Sequence, residues 1–220
     1  MHLRIIALFL FLLFSVSHAI AEKKNYSVAA VAFYNLENFF DTEDDPQKED
    51  GDFTPVGNYH YTEDIFKQKA HNLATVFQQL GTDVTPDGPA FVGVAEVENS
   101  NVLDMLVSQP EIKERNYKYV IFYGPDARGI NTGFVYNPKY FTVLDARPHH
   151  VNLGGSGGKE TTRDILHISG ILYGDTIHVL VNHWPSRRGG EAASAPKRAI
   201  AAGVDKKIVI HLCRRTLIVK

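Results

Sequence analysis

Short apolar runs rich in β-branched and aromatic residues recur along the chain, and they constrain its fold more than any other feature. The first two, 27–34 and 90–97, have the length and composition of buried strands. Five more candidate strands follow, at 117–123, 131–136, 141–147, 164–173 and 176–182. Gly174 and Asp175 between the last two are typical of a two-residue hairpin turn. From residue 117 onward the pattern is therefore mainly that of strands.

Three segments are predicted to be helical. In 62–80 the apolar side chains fall on one face, Thr62 can cap the start, and Gly81 can close the end. A shorter helix is predicted to begin at Asn99 or Ser100. A third is predicted at 194–207, where Pro196 is tolerable in the first turn.

The first residues are typical of an export signal. The apolar run 5–14 is shorter than the roughly 20 residues that span a bilayer, and Ala19-Ile20-Ala21 fits a cleavage pattern. This predicts a signal peptide over 1–21 and an exported protein, periplasmic or extracellular. An uncleaved N-terminal anchor is the alternative interpretation. No later segment is apolar enough to predict a stable membrane span.

Composition limits the functional classes. The chain has 220 residues, enough for one sizeable domain, and a formal net charge of −2. Any electrostatic attraction for a polyanion must therefore come from local clusters of basic residues. A single cysteine, Cys213, excludes an intramolecular disulfide and a cysteine-based zinc site. The acidic segment 41–52 lacks the spacing of an EF-hand and is interpreted as a solvated loop.

Three polar residues at predicted strand ends are the candidates for chemistry. They are Asn35, Glu96 and His183. Carboxylate and amide oxygens suit Mg²⁺, and a histidine nearby can bond a phosphate oxygen or move a proton. Taken singly, each has an ordinary alternative: a turn asparagine, a solvated carboxylate or a surface histidine.

Five local strings make the set more specific. They are VAFYNLENFFD at 31–41, FVGVAEVEN at 91–99, RGINTGFVYN at 128–137, TRDI at 162–165 and HVLVNHWPSRRGGE at 178–191. With them the chain resembles the endonuclease/exonuclease/phosphatase superfamily, and in particular its secreted bacterial branch. The resemblance implies a DNase I-like α/β fold, a four-layer sandwich of two mixed β-sheets flanked by helices.

The resemblance also implies roles for individual residues. Asn35 and Glu96 would hold Mg²⁺, or another hard divalent cation such as Mn²⁺ or Ca²⁺. His183 would be catalytic and contact the scissile phosphate. Further contacts to substrate phosphate would come from Asn182, Arg187 and Arg188, although a solvated basic loop is an equal alternative for the two arginines.

Two motifs of the family are missing after His183. Neither a Gly-Asp-x-Asn nor a Ser-Asp-His element follows it. We therefore expect a C-terminally truncated domain, with 22–207 as its N-terminal part, 208–220 as an atypical tail and the sandwich incomplete. The implied function is metal-dependent phosphodiester hydrolysis, endonuclease-like and impaired, on nucleic acid or another phosphate ester. The alternative is a non-catalytic remnant that binds metal or phosphate. The oligomeric state stays open.

Overall fold

Four strands form the first sheet of the computed structural model, which describes residues 26–155 and 160–218. The predicted signal peptide lies outside these residues. The strands are β1 (Val31–Phe39), β2 (Phe91–Val97), β3 (Lys118–Ile121) and β4 (Asn131–Tyr136), in the order β1-β2-β4-β3. β1 runs parallel to β2, and the other pairs are antiparallel. The first sheet is therefore mixed, as predicted.

The second sheet is antiparallel throughout its described strands. It consists of β5 (Phe141–His149), β8 (Ile165–Leu172) and β9 (Asp175–Val181), and a separate two-stranded ribbon joins β6 (Asn152–Gly154) to β7 (Glu160–Thr161). The predicted hairpin between β8 and β9 is confirmed, but its turn lies at Tyr173 and Gly174. Both residues have positive φ, 50° and 92°, which matches the right-handed twist of the strands.

The described part of the chain also forms three α-helices: α1 (Glu63–Gln79), α2 (Ser100–Val107) and α3 (Glu191–Ile218). The Thr62 side chain accepts a hydrogen bond from the Ile65 amide at 3.5 Å, and Asn99 accepts one from Val102 at 3.2 Å. These caps satisfy backbone donors that a helix start otherwise leaves unpaired. No helix within the described ranges combines the length and apolarity needed to cross a membrane.

The predicted bounds differ most from the observed ones at β1 and α3. β1 begins at Val31 and continues to Phe39, because its pairing with β2 resumes beyond Asn35. α3 begins at Glu191 and continues past the predicted end at 207. Pro196 consequently lies in the second turn of α3, where its missing N–H removes one helical hydrogen bond.

Apolar side chains bury the faces of the two sheets in three separate layers. Helices α1 and α2 cover the first sheet through Phe66, Phe77, Leu103 and Leu106, which pack on Val92, Val94 and Val135. The two sheets meet through Phe91, Phe134, Phe141, Leu166 and Val181. Helix α3 covers the outer face of the second sheet, where Ala201 and Ile208 pack with Ile165. This order of layers confirms the predicted four-layer α/β sandwich.

Gly93 lets the sheets approach closely beside β9. A Cβ atom at this position would lie 3.2 Å from both methyl groups of Val181. That spacing is tight for a real side chain, so glycine suits the position for steric reasons. Glu96 follows Gly93 by three residues and His183 follows Val181 by two. The close approach therefore brings the ends of β2 and β9 together.

Candidate active site

The pairing of β1 with β2 is interrupted where two predicted site residues lie. Asn35 pairs with Ala95 and the next pair is Phe39 with Val97, so three residues of β1 face Glu96 alone. Glu37, Asn38 and Glu96 have left-handed φ values of 55°, 57° and 60°. Such bulges redirect side chains, and left-handed backbone at non-glycine residues clusters at functional sites.

The Glu96 carboxylate joins the three predicted residues. Its Oε1 accepts from Asn35 Nδ2 at 3.2 Å and lies 3.1 Å from His183 Nε2. Its Oε2 accepts from the Asn38 amide at 2.8 Å, a contact that the bulge creates. The side chains of Glu96 and His183 are 16% and 20% exposed, so the cluster is partly shielded from water and still reachable.

These contacts favour the ionised form of Glu96. The hydrogen bond from His183 is the largest cause, and those from Asn35 and Asn38 add to it. Partial burial acts in the opposite direction, and the balance lowers the pKa of Glu96 to about 2. The carboxylate is therefore charged at neutral pH, which is the state that binds a cation.

Arg163 holds the backbone that carries His183. Its Nε donates to the His183 carbonyl at 3.2 Å and its Nη2 to the Trp184 carbonyl at 2.9 Å. Its Nη1 lies 3.3 Å from Asp126 Oδ2, and both side chains of this ion pair are 10% exposed. One guanidinium thus fixes the chain as it leaves β9, using the forked geometry that arginine alone offers.

We expect Arg163→Gln to lower the free energy of unfolding by about 3 kcal/mol, because it leaves the nearly buried Asp126 with only Arg128, 3.9 Å away, as an ion-pair partner. The measurement is urea denaturation followed by circular dichroism. Arg147→Gln is the matched control, since its ion pair with Asp145 is 57% and 45% exposed. The control should lose less than about 1 kcal/mol. Equal losses in the two variants would contradict the structural role of Arg163.

Two further cations flank the bulge. Lys69 of α1 donates from Nζ to the Asn38 carbonyl at 3.0 Å and also to the Glu37 carbonyl. Burial lowers the pKa of Lys69. Arg128 Nη1 donates to Asn38 Oδ1 at 3.4 Å. The sequence carried no signal for Lys69, because it occupies a helix position that only the tertiary fold brings to β1.

The other predicted phosphate-binding residues make different contacts. The Asn182 amide donates to the Leu180 carbonyl at 3.2 Å and its oxygen accepts from Trp184 Nε1 at 2.8 Å. Arg187 is highly exposed, with Nη1 4.0 Å from Glu191 Oε2. The exposed Arg188 donates its backbone amide to Ser186 Oγ at 3.4 Å. The structure therefore brings Asn35, Glu96 and His183 together. Asn182, Arg187 and Arg188 instead make contacts outside that cluster.

An acidic cavity of about 600 Å³ is lined by the segment 41–50 together with Glu98 and Asn99. Three carboxylates that line it, Asp41, Asp50 and Glu98, are 9%, 2% and 8% exposed. Burial is the main cause that raises the pKa of Glu98 to about 8. The interpretation of 41–52 as a wholly solvated loop was therefore wrong for Asp41 and Asp50. Asp41 Oδ2 accepts a hydrogen bond from Asn99 Nδ2 at 2.9 Å.

The residues around Glu96 fit a hard divalent cation of the magnesium type. No three histidine, cysteine or acidic side chains in 26–155 and 160–218 are arranged to hold a metal ion. Mg²⁺ does not require such a set, because it usually binds one or two carboxylates and keeps several waters. An ionised Glu96 supplies that kind of anchor, and the Asn35 oxygen, which accepts from the Glu37 amide at 2.8 Å, keeps a second lone pair. Each carboxylate oxygen has two lone pairs, so hydrogen bonds leave room for a cation.

Comparison with known proteins decides the family. A sequence model described as the endonuclease/exonuclease/phosphatase family matches residues 30–217, which is most of the chain. The chain belongs to this family. The match contains all three residues of the Glu96 cluster. No curated protein matches the chain significantly.

Several solved structures are similar to this chain, at low sequence identity. TDP2 from Caenorhabditis elegans has 17% identity and a TM-score of 0.48, covering 70% of this chain and 40% of that one. A conserved protein of unknown function from Enterococcus faecalis has 13% identity and a TM-score of 0.48, covering 81% and 60%. A family member from Bacteroides vulgatus has 15% identity and a TM-score of 0.45, covering 80% and 58%. The chain thus spans about 40–60% of the length of these structures.

Proposed function

We propose that this chain hydrolyses phosphodiester bonds with the help of a hard divalent cation, and that nucleic acid is its substrate. The observation that carries the proposal is the meeting of Asn35, Glu96 and His183 around one carboxylate, in a member of the endonuclease/exonuclease/phosphatase family. Asn35 and His183 are 148 positions apart in the sequence. The cluster therefore exists only because the chain folds.

Each residue of the cluster has a distinct task in this proposal. Glu96 anchors the cation, and Asn35 orients the carboxylate through its amide N–H while its own oxygen accepts from the Glu37 backbone amide at 2.8 Å. A bound Mg²⁺ would polarise the phosphate and lower the pKa of a nearby water. The His183 N–H now donates to Glu96, and it would become free to donate to a phosphate oxygen, where negative charge develops, once a cation neutralises that carboxylate.

The charges beside the cluster suit a phosphate chain. Lys69 and Arg128 contact the bulge, and the exposed Arg187 and Arg188 follow His183 by four and five residues. These cations provide the local attraction that a chain of net charge −2 lacks as a whole. Arginine also offers paired donors that match phosphate oxygens.

The test is hydrolysis by the purified chain of plasmid DNA, single-stranded DNA and a chromogenic phosphodiester, with Mg²⁺ and with a chelator. We expect cleavage that requires Mg²⁺ and falls by at least about a hundredfold in His183→Gln, because the flexible glutamine amide does not hold a charge-stabilising donor where the imidazole N–H lies. His71→Gln is the matched control, since His71 lies on α1 and pairs with Glu111 at 2.8 Å.

The results separate the proposed function from its alternative. Cleavage of the chromogenic ester without DNA cleavage would keep the reaction and overturn the nucleic-acid substrate. Site-specific binding of Mg²⁺ or phosphate with no turnover of any ester would support the non-catalytic alternative. Activity that persists in the chelator, or that His183→Gln leaves intact, would overturn the mechanism.

A further inference from the structure

A second cluster of chemistry-bearing side chains lies on the opposite side of the molecule's second sheet. Four histidines line a cavity of about 460 Å³ between that sheet and α3. They are His149 on β5, His167 on β8, His178 on β9 and His211 on α3. Every element that borders the cavity contributes one imidazole, and the proposed phosphodiesterase site uses none of them.

Strand register places three of these imidazoles on one face. His167 pairs with Leu180 on β9 and with Arg147 on β5. His178 and His149 each lie two residues from those partners, and residues two apart on a strand share a face. The three histidines therefore form a diagonal row across β5, β8 and β9, directly beneath α3. This arrangement follows from pairing and not from proximity in sequence.

The spacing of the rings matches that of ligands around one ion. His167 Nε2 lies 3.0 Å from His178 Nδ1, and the ring centroids are 5.2 Å apart. The centroids of His149 and His167 are 5.6 Å apart. Two imidazoles bonded to one tetrahedral ion at about 2.0 Å have their bound nitrogens about 3.3 Å apart and their centroids about 5 Å apart. The observed distances lie close to both values.

One nitrogen of the row lacks a partner. His149 Nε2 is buried and makes no hydrogen bond. A buried polar atom without a partner costs free energy, so it indicates a missing ligand or a strained site. His167 is only 6% exposed, and burial lowers its pKa to about 4, which keeps the ring in the neutral form that binds metals.

The surrounding charges are mixed. Arg147 and Lys207 border the cavity, and Arg147 is paired with Asp145. The negative charges of Asp164 and Asp205 act on the His149 ring in the opposite sense to the positive charge of Arg147. The two cations oppose the binding of a further cation, and the three carboxylates offset them. A soft or borderline ion that bonds to neutral nitrogen tolerates this environment better than a hard ion that needs carboxylates.

We propose that His149, His167, His178 and His211 form a site for a borderline divalent ion of the zinc type that ties α3 to the second sheet. In the conformation described for 26–155 and 160–218, no three such side chains already converge on an ion. Binding therefore requires the His149 and His211 rings to turn toward the His167–His178 pair. The ion replaces the hydrogen bond between those two rings.

The experiment titrates Zn²⁺ into the full chain by calorimetry, after chelator treatment and in excess Mg²⁺ so that the hard-ion site is saturated. We expect one Zn²⁺ per chain and an affinity at least about tenfold lower in His178→Asn and in His211→Asn. Both residues are exposed, so their replacement leaves the core intact. His71→Asn and Glu96→Gln are controls that should bind Zn²⁺ as the unchanged chain does.

A second measurement reports the ligands directly. Co²⁺ bound to several imidazoles in a tetrahedral site gives strong visible absorption, which we expect in the unchanged chain and not in His167→Asn. Zn²⁺ should also raise the melting temperature of the unchanged chain and not that of His211→Asn. Absence of binding, equal affinity in all histidine variants, or loss of Zn²⁺ binding in Glu96→Gln would each overturn the proposal.

Discussion

Replacing Glu96 by glutamine is expected to lower Mg²⁺-dependent phosphodiester hydrolysis by about three orders of magnitude, roughly 4 kcal/mol in the barrier. Glutamine keeps the shape of the side chain and its hydrogen bond to the Asn38 amide. It removes the negative charge that would anchor the cation, and it places an uncharged amide beside His183. Because the residues of such a site act as a unit, removing one of them removes most of the rate enhancement.

The measurement is the turnover number of the variant at saturating ester, together with its Mg²⁺ affinity by calorimetry. Glu63→Gln is the control, because Glu63 is 53% exposed, pairs with Lys67 along α1 and accepts only a long hydrogen bond, 3.4 Å, from Thr42 Oγ1. A Glu96 variant with normal melting temperature, weak Mg²⁺ binding and little turnover would agree with the proposed role. Turnover within about tenfold of the unchanged chain would rule Glu96 out as the anchor.

Replacing Phe134 by alanine should lower the free energy of unfolding by about 3–5 kcal/mol. Phe134 is fully buried between the sheets, and its ring lies 5.1 Å from that of Phe91 and 5.3 Å from that of Phe141. The variant loses the buried ring and leaves a cavity that its aromatic neighbours cannot close. This loss is a large part of the roughly 5–15 kcal/mol that stabilises a typical domain.

Chemical denaturation measures this loss, and Phe122→Ala is the control because Phe122 is 38% exposed. We expect the control to lose less than about 1.5 kcal/mol, in line with its smaller buried area. If Phe134→Ala cost no more than the control, the two sheets would not be packed through this aromatic cluster. Mg²⁺ affinity at Glu96 should change little in any Phe134 variant that remains folded.

Local patterns were enough to predict the elements that packing reinforces. The strand at 131–136 was predicted with the bounds that β4 has, because its apolar and β-branched residues are buried on both faces. The helix predicted at 62–80 differs from α1 by one residue at each end. In both segments, intrinsic preference and burial agree, which is when single-sequence reasoning succeeds.

The site was predictable only in part. Asn35, Glu96 and His183 could be proposed because strand ends project polar groups, but the bulge that unites them depends on a register that no local pattern contains. Asn182 was proposed beside His183, but it lies just past the end of β9, where its side chain bonds the Leu180 carbonyl and the Trp184 ring. Arg163 and the histidine row required the pairing of β5, β8 and β9.

The left-handed backbone at Glu37, Asn38 and Glu96 has a consequence for how the protein can change. Each such residue costs on the order of 1 kcal/mol or more, and glycine would adopt the same φ without strain. A variant with glycine at Glu37 can gain stability and keep the Glu96 contacts, whereas glycine at Glu96 removes the carboxylate itself. Heat-resistant descendants of this chain would therefore accumulate changes on the β1 side of the bulge and spare the β2 side.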